Sequence, residues 1–212
     1  MIAQSWRPAV VLAAFALAGS ALLALTWTLT ADRIAEQQRL ATLRQLGELL
    51  PPSLYDNDPL AETFTLPENT IPGIREPIQG WVARQGGRVS AWLLQLVTPE
   101  GYNGDIHLLV GLRPDGSLLG VRVIRHAETP GLGDGIELRR SDWILAFAGK
   151  ALGQPPEARW AVKKDHGVFD QFTGATITPR AVVKAVRRLL TWYRDHPEVL
   201  QRQVIEGEDH AH

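Results

Sequence analysis

Residues 80–125 read GWVARQGGRVSAWLLQLVTPEGYNGDIHLLVGLRPDGSLLGVRVIR, a series of β-branched and apolar runs divided by turn residues. Gly86-Gly87, the segment 101–104 and Pro114-Asp115-Gly116 separate the runs, and the last of these is a strong hairpin signal. In the run over residues 105–113, alternate residues are apolar and would lie on one face of a strand: Ile106, Leu108, Val110 and Leu112. The pattern predicts an antiparallel sheet with one buried face.

A helix is expected to cover that face, and the sequence contains two candidates. Residues 139–150 carry apolar side chains at helical spacing. Residues 179–194 are the better candidate, with Thr178 as the predicted N-cap and Pro179 at the predicted first helical position. Their apolar stripe consists of Val182, Val183, Val186, Leu189, Leu190 and Tyr193. The predicted fold class is therefore α+β, an antiparallel β-sheet packed by helices.

An uncharged apolar segment precedes this domain, from Pro8 to Ala31. As a helix it is long enough to cross the roughly 30 Å hydrocarbon core of a bilayer. A cleaved signal peptide is the alternative, with Arg7 as its basic flank and Ala16-Leu17-Ala18 as its cleavage site. Because the apolar run continues well beyond Ala18, one N-terminal transmembrane helix is the favoured prediction.

The predicted organisation has four segments. Residues 1–31 are the N-terminal transmembrane anchor. Residues 32–79 are a juxtamembrane helix, ended by Pro51-Pro52, and an irregular connection rich in Pro, Asn, Asp and Thr. Residues 80–194 form the folded domain, and residues 195–212 are a polar C-terminal tail that is expected to be solvated.

The composition excludes several functions. Basic and acidic side chains number 22 and 23, and no basic tail or face indicates nucleic-acid binding. Cysteine is absent, which excludes iron–sulfur clusters, thiolate zinc sites and cysteine nucleophiles. Four histidines show no metal-ligand spacing, so no metal site is predicted: His107, His126, His166 and His196.

Two glycine-containing segments are typical neither of a core element nor of an ordinary turn: HAETPGLGDGIE at 126–137 and DQFTGATITPR at 170–180. The glycines of the first segment do not follow the G-x-G-x-x-G pattern and no parallel βαβ unit follows, so a dinucleotide loop is rejected. Their close spacing suggests that the backbone approaches something flat or crowded. From the residues alone, a plain loop and a turn leading into a helix remain open alternatives.

The second segment carries a family motif. Residues 170–176, DQFTGAT, resemble the D-x-x-[ST]-G-A-[ST] flavinylation motif of FMN-binding domains at every fixed position. Nearly the whole chain resembles the G subunit of the Rnf (Rsx) ion-translocating electron transport complex, with an N-terminal span, G-Y-x-G, a D-G hairpin, H-x-E-T-P-G-L-G and T-G-A-T-I-T in that order. The C subunit of the sodium-pumping NADH:quinone reductase shares the motif and the span but is usually longer, so it ranks second.

The resemblance implies a covalent cofactor, FMN bonded through its phosphate to the hydroxyl of Thr176, and makes residues 80–194 the FMN-binding domain. The phosphate would lie just ahead of the predicted helix, where unpaired N–H groups and the helix dipole stabilise an anion. Recognition by a flavin transferase, through the Mg²⁺ that accompanies FAD, is the role implied for Asp170. The residues expected around the attachment point are Thr173, Gly174, Ala175 and Thr178.

The first segment is the candidate for contacts to the flavin ring. The resemblance, together with glycines that expose backbone N–H groups to a planar ligand, makes the expected contact residues Glu128, Thr129, Gly131, Leu132 and Gly133. The sequence shows neither an acid–base pair nor a second substrate pocket, so no catalytic residue is predicted. Electron relay is favoured over hydride chemistry on a soluble metabolite.

The resemblance also implies partners and a location. The partners are other membrane subunits of an Rnf-type complex, a flavin transferase and the lipid bilayer of the inner (cytoplasmic) membrane, with the domain on the periplasmic side. Positive charge near the span argues the other way, because Arg33, Arg39 and Arg44 follow it. Acidic residues interspersed among these arginines reduce the weight of that argument modestly. A membrane-tethered assembly or scaffold module without flavin is the rival function.

Overall fold

The computed structural model describes residues 6–209, without the side chains of residues 7, 32, 34, 35, 38 and 204–209. The chain divides into two compact units, Met1–Arg44 and Gln45–His212. Helix α1 runs over Trp6–Gly47.

Within α1, the segment Pro8–Ala31 has a mean hydropathy of 2.3 and is not buried. The prediction of one N-terminal candidate transmembrane helix is confirmed, since this segment is long and apolar enough to cross a membrane. The side chain of Arg7, the predicted basic flank, lies outside the described residues.

The second unit is built on a five-stranded antiparallel sheet in which each strand pairs with its neighbours in the chain, in the order β1-β2-β3-β4-β5. This confirms the predicted α+β class with an antiparallel sheet. The strands are β1 (Thr63–Leu66), β2 (Ile78–Gln85), β3 (Arg88–Thr98), β4 (Ile106–Leu112) and β5 (Leu118–Arg125).

Strand β1 lies inside the segment predicted as an irregular connection, so that prediction is wrong for residues 63–66. The strand pairs with β2, and the ring of Phe64 lies against the backbone of Gly80, where any side chain would collide with it. Four residues are too few for a two-residue period to be distinctive in sequence. The pairing depends instead on a close fit between two distant residues.

Helix α2 (Ile177–Asp195) covers one face of the sheet, and its predicted apolar stripe is buried together with the predicted apolar face of β4. The helix begins one residue before Thr178, and Thr176 takes the N-cap position without a side-chain capping hydrogen bond. The predicted N-cap role of Thr178 is therefore wrong, and Pro179 occupies the third helical position. Proline is still tolerated there, because the N–H groups of a first helical turn have no partner within the helix.

The other predicted helix, over residues 139–150, is a short 3₁₀ helix over Asp142–Phe147. Ser141 begins it by accepting a hydrogen bond from the Trp143 N–H, and Ile144 and Phe147 are buried. Within residues 6–209, further 3₁₀ turns span Pro52–Leu54, Gly133–Ile136, Glu157–Arg159 and Lys163–Asp165.

The second face of the sheet is covered as well, which the sequence analysis did not foresee. Leu46, Leu49 and Leu50 are buried in a second apolar cluster with residues of the sheet. Leu54, Tyr55 and Leu60 pack at its edge. The segment after residue 45 therefore contributes to the core.

The expectation of a solvated C-terminal tail is wrong for its first part. Helix α3 spans Pro197–Asp209, and Leu200 is fully buried in the main core. Val199 packs against the same core. Residues 210–212 of the predicted tail lie outside the described residues.

Candidate functional site

A pocket of about 160 Å³ opens where three segments of the second unit meet. The segments are the β3–β4 loop, the loop after β5 and the start of α2 with the turn before it. The lining residues are Tyr102, Glu128, Thr129, Leu132, Gly133, Gly174, Ala175, Thr176, Ile177 and Thr178.

The turn before α2 has its shape because of one glycine. The Ala175 N–H donates to the Phe172 carbonyl oxygen at 3.1 Å, which closes a four-residue turn. Gly174 is its third residue, with φ +80°. A positive φ at this position is typical of a type II turn and favours glycine. Because of this turn, Thr176 lies at the N-terminal end of α2, where it is half-buried.

A second turn of the same kind faces the first. The Leu132 N–H donates to the Thr129 carbonyl oxygen at 3.1 Å, and Pro130 and Gly131 are the two central residues, Gly131 with φ +79°. The side chain of Asp134 accepts a hydrogen bond from the Gly131 N–H at 2.8 Å. This turn therefore holds the Leu132 side chain at the pocket, facing the turn before α2.

Glu128 ties the three segments together. Its side chain is buried, with only 5 % of the residue exposed, and Oε1 accepts a hydrogen bond from the Asn103 N–H at 3.1 Å. Its Oε2 accepts a short hydrogen bond from the hydroxyl of Thr178, which is fully buried. A Cβ on Gly133 would lie 2.7 Å from the same Oε2, so only glycine fits there. Burial of a carboxylate costs free energy unless hydrogen-bond donors compensate for the lost water. Both donors, the Asn103 N–H and the Thr178 hydroxyl, are therefore needed to keep Glu128 buried.

Aromatic packing supports the motif turn. The Trp143 Nε1–H donates to the Asp170 carbonyl oxygen at 2.7 Å, and the Trp143 ring lies edge-on to Phe172 with centroids 5.4 Å apart. Phe169, the residue before the motif, stacks on Phe147 at 4.6 Å. These contacts fix the backbone on which Thr176 is carried.

The loop after β5 is anchored at its start by His126. The Glu128 N–H donates to His126 Nδ1 at 2.9 Å, and His126 Nε2 lies 2.6 Å from a carboxylate oxygen of Glu137. The hydrogen bond from Arg139 holds the pKa of Glu137 below its usual value, partial burial opposes this shift, and His126 adds to the lowering. The anchor therefore keeps a negative charge opposite His126.

The N-terminal end of α2 beside Thr176 suits an anion through its backbone N–H groups, while the neighbouring basic side chains are paired with carboxylates. The first turn of α2 contains no acidic residue, and its leading N–H groups have no partner within the helix. Asp170 does not line the pocket and pairs with Lys163, with Oδ1 and Nζ 2.5 Å apart. Arg180 is held by Asp165 at 2.6 Å.

Eight of the residues predicted from the sequence line the pocket: Glu128, Thr129, Leu132, Gly133, Gly174, Ala175, Thr176 and Thr178. Gly131 and Thr173 line an adjoining groove instead, together with Arg140. Asp170 lies outside both. Tyr102 and Ile177 also line the pocket and were not predicted from the sequence, although the G-Y-x-G segment that contains Tyr102 was predicted to separate two strands.

These residues fit a flavin mononucleotide. A half-buried hydroxyl at a helix N-terminus suits a phosphoester, because the free N–H groups and the helix dipole favour the phosphate charge. A Cβ on Gly174 would meet only Leu132, at 3.6 Å, so the turn leaves space beside the hydroxyl. The exposed apolar side chains at the pocket suit a planar ring.

Comparison with known proteins agrees with this fit. Residues 101–191 match the family model of the FMN-binding domain, and residues 1–49 match that of the RnfG N-terminal region. The protein is therefore of the class that carries an FMN-binding domain behind an N-terminal helix.

Curated relatives define the family more narrowly. The chain is 52 % identical over 194 residues to the G subunit of the ion-translocating oxidoreductase complex of Pseudomonas aeruginosa strain UCBPP-PA14, covering 92 % of this chain and 91 % of that protein. The G subunit of Shewanella loihica is 45 % identical, with 92 % of each chain covered. The G subunit of Vibrio cholerae O1 strain O395 is 42 % identical over 96 % of this chain and 97 % of the relative. The chain belongs to the family of G subunits of the ion-translocating oxidoreductase complex.

Proposed function

We propose that this protein holds FMN as a phosphoester of Thr176 and relays electrons within an Rnf-type membrane complex. The observation that supports this most directly is the position of Thr176. Its hydroxyl-bearing side chain lines the pocket, ends the glycine turn of the flavinylation motif and stands at the N-terminus of α2. When bound, FMN would supply the reversible redox chemistry that electron relay requires.

Different residues of the pocket would contact the phosphate and the ring of FMN. The N–H groups at the start of α2 stabilise the phosphate, and Gly174 leaves room for it. The loop with Glu128, Thr129 and Leu132 is positioned to contact the ring. Covalent attachment prevents loss of the cofactor, whereas contacts to the ring set its redox potential.

Asp170 serves maturation rather than the finished site in this proposal. Its carboxylate is exposed and lies outside the pocket, so it does not repel the phosphate. It is accessible to a flavin transferase, where it would meet the Mg²⁺ that accompanies FAD, an ion that prefers carboxylate oxygens. Lys163 would have to release it for that contact.

The decisive experiment is the intact mass of protein co-expressed with a flavin transferase, together with its visible absorption spectrum. The expected results are a flavin spectrum and a mass increase of one FMN less one water, because FAD would transfer its FMN moiety to the Thr176 hydroxyl and release AMP. A colourless protein of unmodified mass would favour the rival function, a membrane-tethered scaffold module in which Thr176 only begins a helix.

The location proposed for the protein is the inner membrane, with Pro8–Ala31 as a single span and the domain on the periplasmic side. The apolar span and the family support the anchor. The other subunits of the complex and the lipid bilayer are then its permanent neighbours, and the flavin transferase is a transient one.

The orientation leads to a topological prediction. A reporter enzyme fused after His212 that is active only outside the cytoplasm should be active, although Arg33, Arg39 and Arg44 follow the span. A matched reporter that works only in the cytoplasm should stay silent. The reverse pattern would contradict the periplasmic location, and a shortened soluble product would favour cleavage near Ala18.

A second prediction concerns the charge of Glu128. If its carboxylate lies close to the ring, Glu128→Gln should leave covalent FMN in place and raise the redox potential, because a negative charge disfavours the reduced, anionic ring. At about 4 Å and an effective dielectric near 20, the interaction is worth up to about 4 kcal/mol. Potentiometric titration measures the shift.

The matched control is Glu62→Gln, because Glu62 is a partly buried carboxylate that pairs with Arg84 and does not line the pocket. Its potential should stay close to that of the unchanged protein. A potential that is unchanged or lowered in Glu128→Gln would place the ring elsewhere and leave Glu128 with a structural role alone.

A further inference from the structure

We propose that Tyr102 packs its aromatic ring on the isoalloxazine ring and quenches its fluorescence. This inference rests on the proposed function, because it requires FMN at Thr176. It assigns a cofactor contact to the β3–β4 loop.

Exposed apolar side chains are few in the second unit and concentrate at the pocket. Among the described residues from 45 onward, the exposed large hydrophobic side chains are Tyr102, Leu132, Leu138, Leu145 and Ile177. Three of them, Tyr102, Leu132 and Ile177, line this one pocket, and Tyr102 is the most exposed at 67 %. Clustered exposed apolar surface marks a binding site.

The backbone on both sides of Tyr102 is held in place, although the residue lies at the tip of a loop. Asn103 donates hydrogen bonds through its N–H to Glu128 and through Nδ2 to the Ala127 carbonyl oxygen and the Thr129 hydroxyl, at 3.1, 3.0 and 3.1 Å. On the other side, a Cβ on Gly101 would lie 2.8 Å from Oε1 of Glu128. The loop is therefore held against the loop after β5, and the backbone that carries the tyrosine between these two residues is held at the pocket.

The size of the pocket explains why its rim must provide contacts. Its volume of about 160 Å³ is well below the roughly 300 Å³ at which pockets for organic ligands begin. A three-ring system bound at this site would lie across the opening, with part of its surface on the rim. Tyr102 offers that rim a flat aromatic face, and no hydrogen bond to its hydroxyl is found among the described residues.

Contact between the two rings has a measurable consequence. A phenol ring in contact with an excited flavin transfers one electron to it, and the electron returns without emission of light, so no net oxidation results. Fluorescence per FMN should therefore be much lower in the folded protein than after denaturation. Leucine and phenylalanine are hard to oxidise, so Tyr102→Leu and Tyr102→Phe should raise the folded-to-denatured ratio several-fold.

The experiment compares this ratio in the full-length flavinylated protein and its variants in detergent, with intact mass as the measure of attachment. Tyr102→Trp should restore quenching, because tryptophan is readily oxidised. Leu145→Ala changes an exposed apolar residue that does not line the pocket and should leave the ratio unchanged.

The failures of the two proposals can be told apart. An unmodified mass for the unchanged protein would overturn the attachment and this inference with it. A correct mass with equal ratios in the unchanged protein, Tyr102→Leu and Tyr102→Phe would overturn the role of Tyr102 alone. A raised ratio that Tyr102→Trp does not lower would also overturn it, because solvent exposure and not electron transfer would then be the cause.

Discussion

Thr176→Ala is expected to abolish covalent flavin completely while the protein still folds. The substitution removes the oxygen atom to which the phosphate would be esterified. The fold should be retained because the Thr176 side chain makes no capping hydrogen bond to α2. The measurement is yellow-green fluorescence of the denatured protein in a gel under ultraviolet light, with intact mass as the second readout.

Two variants of the same turn serve as controls. Thr176→Ser keeps the hydroxyl and should retain a covalent bond. Thr173→Ala changes an exposed threonine three residues earlier and should lower the yield at most, because it leaves the acceptor in place. Fluorescence that persists in denatured Thr176→Ala would refute Thr176 as the attachment site.

Phe169→Ala is expected to cost about 3–5 kcal/mol of the free energy of unfolding, the range typical of deleting a buried aromatic ring. Phe169 is 1 % exposed, stacks on Phe147 at 4.6 Å and lies 5.2 Å from the Trp160 ring centroid. Since the next residue is Asp170, flavinylation yield should fall as well. Denaturant unfolding followed by tryptophan fluorescence measures the loss.

Leu145→Ala is the matched control for Phe169→Ala, because it lies in the neighbouring 3₁₀ helix but is 41 % exposed. It should change stability by less than about 0.5 kcal/mol, as is usual at surface positions. Equal stability of the two variants would mean that the aromatic cluster does not support the motif turn.

The main sheet and α2 were predictable because their signals are local. Strands β2 to β5 are divided by glycine and proline turns, and α2 carries a helical stripe long enough to be distinctive. Strand β1 was not predictable, and neither was the packing of the segment after residue 45 on the second face of the sheet. Leu46, Leu49 and Leu50 form no pattern that indicates which surface they cover, and β1 depends on the fit of Phe64 to Gly80.

The site was predictable where a motif marks it and not where it depends on long-range contacts. Residues 170–176 predict an attachment turn through their resemblance to the flavinylation motif. The bond between Thr178 and Glu128 joins residues 50 positions apart, and only the folded chain reveals that Thr178 supports the pocket instead of capping the helix. Tyr102 was missed for the same reason, since an aromatic residue in a turn does not indicate what it faces.

The three segments that form the pocket lie far apart in the sequence, so the pocket is complete only in a chain that has folded. Each strand pairs with a neighbour in sequence, so the sheet is rich in local contacts and can form early. The pocket beside Thr176 is complete only when α2 has packed on that sheet and Thr178 has met Glu128. A transferase that acts on the assembled site would therefore label finished molecules and pass over incomplete ones. Flavin content would then measure the fraction of chains that have completed folding.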